Sequence, residues 1–124
     1  MIYYGTSKVV SGSNDQTVRI WDAVTGECEQ PLEGHSEAVM SASFSPDGTK
    51  VVSGSKDKLV RIWDAVTGEC EQSLQGHSGI VTSASFSPDG TKVVSGSSDR
   101  SVRMWDVVTG ELEQTPEEEE GSKQ

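Results

Sequence analysis

The sequence has no apolar residues sustained at helical spacing and no uninterrupted apolar stretch long enough to cross a bilayer. Neither an amphipathic helix nor a membrane span is written into it. Met1-Ile2-Tyr3-Tyr4 carries no basic-then-apolar signal, so the expectation is an intracellular protein, cytoplasmic or nuclear, with no membrane partner. Basic charge is also scarce: 10 Lys and Arg stand against 20 Asp and Glu, a formal net charge of −10. Nucleic acid is therefore not an expected partner, since neutralising phosphates takes clustered Lys and Arg. The only cysteines, Cys28 and Cys70, lack zinc-ligand spacing to the two histidines, which excludes the usual metal sites. Ser53-Gly54-Ser55 and Ser95-Gly96-Ser97 lack the lysine and following helix of a phosphate-cradling loop, and no cofactor is expected.

What is present is repetition. Gly34 to Asp64 returns almost unchanged as Gly76 to Asp106, 42 positions on, and its second half stands 42 positions earlier, from about Lys8 to Asp22. A period of this length means that one supersecondary unit is being arrayed. Inside the unit, Ser41–Ser45, Thr49–Ser55, Leu59–Trp63 and Glu69–Leu74 are short strand-like runs. Ser45-Pro46-Asp47-Gly48, Ser55-Lys56-Asp57-Lys58 and Ala65-Val66-Thr67-Gly68 separate them as turns. The pattern predicts an all-β antiparallel meander of four strands per unit. Successive turns of a meander lie at opposite ends, so the Gly34-His35 connection and the Lys56-Asp57 turn share one end, and His35 can meet Asp57.

The Gly-His start, the Ser-Pro-Asp-Gly turn, the Ser-x-x-x-Asp pair and the closing Trp-Asp resemble the WD-repeat family of β-propellers over roughly residues 8 to 115. The resemblance implies a hydrogen-bonded Trp-Ser-His-Asp chain in each blade. These would be Trp63, Ser53, His35 and Asp57 in the second blade, and Trp105, Ser95, His77 and Asp99 in the third. The first matches only at Trp21, Ser11 and Asp15.

The expected organisation is a propeller segment over 1–116, followed by an acidic, disordered tail over 117–124. Its blades run over about 1–33, 34–75 and 76–116, the first lacking its innermost strand. Propellers close with four to eight blades as a rule, so three leave two bare faces. Either the chain is part of a longer array, or two copies form a six-bladed ring. Val51, Val52, Val60 and Ile62, with Val93, Val94, Val102 and Met104, are the apolar material for the faces. Cys28 and Cys70 hold the same position in consecutive blades with Leu112 as the third equivalent, which points to a half-buried apolar slot instead of a disulfide.

Ser, His and Asp at one end of a sheet invite a hydrolase reading. Against it, the set recurs in each complete repeat, its Ser is committed to an indole N–H by the resemblance, and no oxyanion loop is evident; the expectation is that the chain is not an enzyme. A segment serving only to build an array or homo-oligomer is a further alternative. Comparing the complete repeats, Glu37/Gly79, Ala38/Ile80, Met40/Thr82, Lys56/Ser98, Lys58/Arg100 and Leu59/Ser101 differ at one end of the sheet, while Ser-Pro-Asp-Gly at the other is unchanged. In the propellers this sequence resembles, that variable end is the top face, where partners dock. By position, Ala38, Met40, Ile80 and Thr82, with Asn14, Lys56 and Ser98, are the candidate contacts for a protein or peptide, in a scaffolding or signalling role.

Overall fold

The computed structural model describes residues 8–114. The acidic run and the remnant at residues 1–7 lie outside the described residues. Eleven strands follow one another. They are β1 (Lys8–Gly12), β2 (Thr17–Asp22), β3 (Cys28–Glu33), β4 (Val39–Phe44), β5 (Lys50–Ser55), β6 (Val60–Asp64), β7 (Cys70–Leu74), β8 (Val81–Phe86), β9 (Lys92–Ser97), β10 (Val102–Asp106) and β11 (Leu112–Gln114). They form three antiparallel meanders: a three-stranded sheet β1-β2-β3 and two four-stranded sheets, β4 to β7 and β8 to β11. Among the described residues there is no helix, hence none long and apolar enough to cross a membrane.

Local chemistry closes each meander. At the lower end, the Gly48 N–H donates to the Ser45 carbonyl at 2.9 Å, and Asp47 Oδ1 accepts from the Ser45 hydroxyl and from the Thr49 N–H and hydroxyl. The Thr49 and Ser45 donors hold the Asp47 carboxyl down at about 2, so the turn keeps its acceptor charged. At the upper end, the Lys56 N–H donates to Ala38 and the Ser98 N–H to Ile80, both at 2.9 Å, which ties the connection entering each four-stranded sheet to the turn between its second and third strands.

The sheets fan out. Innermost strands β4 and β8 lie side by side, β5 also packs on β8, and β1 packs on β4. Two cores fill the seams. Val18, Ile20 and Leu32 of the first sheet meet Val39, Val51 and Trp63 of the second. Val52, Val60, Ile62 and Leu74 then meet Val81, Ala84, Val93, Trp105 and Val107 of the third. Valine and glycine set the seam spacing: a Cβ on Gly12 would sit 2.6 Å from Val39 Cγ1, and one on Gly54 2.6 Å from Val81 Cγ1. The glycines thus admit the neighbouring sheet and cradle no phosphate.

Two expectations about burial need correction. Cys28, Cys70 and Leu112 are exposed, not half-buried, because they stand at the start of the outer strands, whereas the seams take up Leu32 and Leu74 near the far end of β3 and β7. Both thiols are free. The apolar set is also unevenly buried: Val51, Val52, Val60, Ile62 and Val93 are fully covered, whereas Val94, Val102 and Met104 are half-buried on the outer face of the third sheet.

Candidate functional site

The upper end gathers most of the polar chemistry. In the second sheet, Trp63 Nε1–H donates to Ser53 Oγ at 2.9 Å, Ser53 Oγ lies 2.6 Å from His35 Nε2, and His35 Nδ1 lies 2.8 Å from Asp57 Oδ2. With a neutral ring, the proton on Nδ1 serves the carboxylate and Nε2 accepts from the hydroxyl, so every polar atom in the row has a partner. Burial pushes the His35 ring down in pKa, outweighing the stabilising Asp57 carboxylate, with Arg61 pushing the same way. Burial alone would raise the Asp57 carboxyl, but donors from His35 and from the Ser36 and Leu59 backbone hold it low.

The third sheet repeats the row. Trp105 Nε1–H donates to Ser95 Oγ at 2.9 Å, Ser95 Oγ lies 2.7 Å from His77 Nε2, and His77 Nδ1 lies 3.0 Å from Asp99 Oδ2. Here the Ser101 hydroxyl adds a bond to Asp99 at 2.5 Å. In the first sheet, Trp21 Nε1–H donates to Ser11 Oγ at 2.9 Å, and Asp15 turns to Thr17 and to Arg19 Nη2 at 3.1 Å. Arg19 thus takes a carboxylate oxygen where the other two sheets use histidine.

The row is shut away from substrate. Ser53 and Ser95 have no exposed surface, and each hydroxyl lies between an indole and an imidazole. A hydrolase needs its nucleophile open to a carbonyl and oriented donors for the developing oxyanion; these hydroxyls meet no such requirement.

The seven candidate contacts occupy the same end. Met40 and Thr82 sit at bulges: β4–β5 pairing jumps from Val39 to Ser41, and β8–β9 pairing from Val81 to Ser83. A bulge re-aims the extra residue's side chain, and Met40 is left 44% exposed. Asn14, Lys56, Ser98 and Thr82 are exposed, while Ala38 and Ile80 are half-buried beneath the turns.

Sequence reasoning left three residues at this end out of the candidate contacts: Gln16, and Lys58 and Arg100, which it noted only as a differing pair. Gln16, Lys58 and Arg100 adopt φ of 79°, 76° and 71°, whereas five left-handed turn positions at the other end hold glycine. Their shared place, one residue after each turn Asp, was the available signal. Cations are distributed unevenly as well. Lys8, Lys50 and Lys92 at the lower end pair with Glu29, Glu71 and Glu113, whereas Lys56, Lys58 and Arg100 make no ion pair among the described residues. A last irregularity is Arg61, whose Nε is buried without a hydrogen-bond partner. The corresponding Arg19 and Arg103 donate from Nε to Thr17 and Ser101 hydroxyls; the second sheet has Leu59 there. No group of side chains among the described residues could hold a metal ion.

Comparison with known proteins places this arrangement. Over 40 residues, 32% of this chain, the sequence is 48% identical to Nuclear distribution protein PAC1 of Mycosarcoma maydis, 9% of whose length is covered. It is 50% identical over 40 residues to the human F-box-like/WD repeat-containing protein TBL1Y, covering 32% of this chain and 8% of that protein. With Coatomer subunit beta'-1 of Arabidopsis thaliana the identity is 44% over 39 residues, 32% of this chain and 4% of that protein. The matched stretches span less than a tenth of these relatives. The sequence model described as WD domain, G-beta repeat matches residues 4–22, 26–64 and 68–106. Its repeat is offset by one strand from the sheets, because each full match begins with the outer strand of the preceding sheet. Repeats of this kind generally serve as non-enzymatic scaffolds for protein–protein interaction, and on a match covering most of its length the chain belongs to the WD-repeat family.

Proposed function

We propose that this chain is an intracellular protein-interaction module, not an enzyme, and that it holds a protein or peptide at the upper end of its sheets. The contact surface is formed by Ala38, Met40, Ile80 and Thr82, with Asn14, Lys56 and Ser98 beside them, and takes in Lys58 and Arg100. The observation that carries the reading is the left-handed backbone at Gln16, Lys58 and Arg100. A residue with a Cβ is strained there by about 1 kcal/mol relative to glycine. Glycine fills the equivalent left-handed positions of the opposite end, yet here long polar side chains stand at the rim, as at sites where strain serves function. Cations that make no ion pair among the described residues, at the same end as Met40 and Ile80, suit an extended segment that mixes carboxylates with apolar side chains. Nucleic acid and membranes are poor fits to the acidic whole, and the site needs no cofactor.

The test is peptide display against the purified chain, followed by fluorescence anisotropy on enriched acidic-apolar peptides. Combined substitution Met40→Ala, Lys56→Ala and Ile80→Ala should weaken binding at least about tenfold, the loss expected when central contacts go. Val66→Ala at the opposite end should leave it unchanged. Affinity surviving the triple substitution would overturn the proposal.

A further inference from the structure

We propose that a second copy of this chain covers the outer face of the third sheet with the outer face of its own first sheet, head to tail. The seam required is one that the chain already makes twice. In both internal seams, a valine and a tryptophan from one sheet bury themselves against β-branched residues of the preceding sheet: Val51 and Trp63 against Val18 and Ile20, then Val93 and Trp105 against Val60 and Ile62.

Each half of that seam is repeated on an outer face that no sheet among the described residues covers. On the third sheet, Val102 and Met104 stand where Val60 and Ile62 stand in the second, but are half-buried instead of fully buried. On the first sheet, Val9 and Trp21 stand where Val51 and Trp63 stand, yet Val9 is 51% exposed and Trp21 is half-buried. One open face is therefore the socket and the other the plug of the same joint. The fit is smaller than the internal ones. Gly12 and Gly54 each receive a valine from the next sheet, while at Gly96 only Ser83 Oγ comes near, at 3.1 Å, and the first sheet brings no innermost strand among the described residues. Reversible pairing is the consequence. Two such joints close two chains into a ring of six sheets, inside the range in which propellers close, and a closed ring stops growth at two copies.

Sedimentation velocity of the full chain, at concentrations rising to about 100 µM, reads the pairing directly, because a micromolar Kd populates the dimer within that range. The expected result is a shift from chain mass to twice chain mass. Met104→Asp or Val9→Lys alone should abolish the dimer. Both side chains lie on outer faces, and an unchanged far-UV circular dichroism spectrum checks that the fold is intact. An equimolar mixture of the two variants should recover it, because one joint then sets aspartate against lysine and the other is unaltered. A chain that stays monomeric throughout, grows into polydisperse polymer, or dimerises irrespective of both substitutions overturns the proposal. Peptide binding at the upper end is a separate measurement, so the two readings fail independently.

Discussion

Ser53→Ala removes one oxygen and strands two buried groups. Trp63 Nε1–H loses its acceptor and His35 Nε2 loses its donor, in a place where Ser53 and Trp63 have no exposed surface and His35 is 5% exposed. No solvent reaches the site to replace the hydroxyl, and the space vacated is smaller than a water molecule needs. Each stranded polar group costs about 1–3 kcal/mol, so the substitution should destabilise the chain by about 2–6 kcal/mol. Ser11→Ala is the internal control. It interrupts the same indole bond in the first sheet, but Trp21 is only half-buried and no imidazole stands behind the serine among the described residues, so the cost should be about 1 kcal/mol. Urea denaturation followed by tryptophan fluorescence measures both, with an unchanged m-value needed for the comparison. Equal losses for the two variants would refute the claim that burial and the second stranded group set the cost. Ester hydrolysis present in the parent and abolished by Ser53→Ala would refute the structural role itself.

Acidification should weaken the fold in two stages. The His35 pKa is depressed below its ordinary 6.5, so the unfolded chain takes up the proton first; this group's contribution is complete above about pH 6.5 and is lost as pH falls through the folded value. Asp57, held below 3.8, adds a second loss of the same sign in stronger acid. The urea midpoint should therefore drop between about pH 7.5 and about pH 5.5, and a flat or rising profile in that window contradicts the assignment of a neutral ring. Leu59→Thr supplies the hydroxyl that Arg61 Nε lacks and should stabilise by about 1 kcal/mol in the same assay, with a loss as the contrary result. Gly54→Ala should cost about 1–3 kcal/mol by driving a methyl into Val81, while Gly96→Ala on the open face should change stability by no more than about 0.5 kcal/mol. Equal effects would mean that the seam tolerates the extra methyl.

Much of this architecture is local and so was legible in the chain. Ser-Pro-Asp-Gly makes its turn with its own side chains, Asp64 caps the next turn by accepting from the Val66 and Thr67 N–H groups at 2.8 Å, and the period of 42 residues copies both. The meander then necessarily brings His35 to Asp57, because turn order alone places them at one end. What tertiary structure decided is which side of each sheet meets a neighbour. Cys28 and Leu112 share the short-run pattern of buried strands, but lie exposed at the start of the outer strands. Ile62 and Met104 are equivalent in text; one is sealed in a seam and the other half open, because among the described residues only the former faces a following sheet. Leu59, which stands where the third sheet has Ser101, reads as one more variable position at the upper end until the packed fold shows the Arg61 nitrogen that it leaves without an acceptor. Turns and rows depend on residues near in sequence or fixed by strand order, whereas burial depends on what stands across the seam, and that is a property of the assembled sheets.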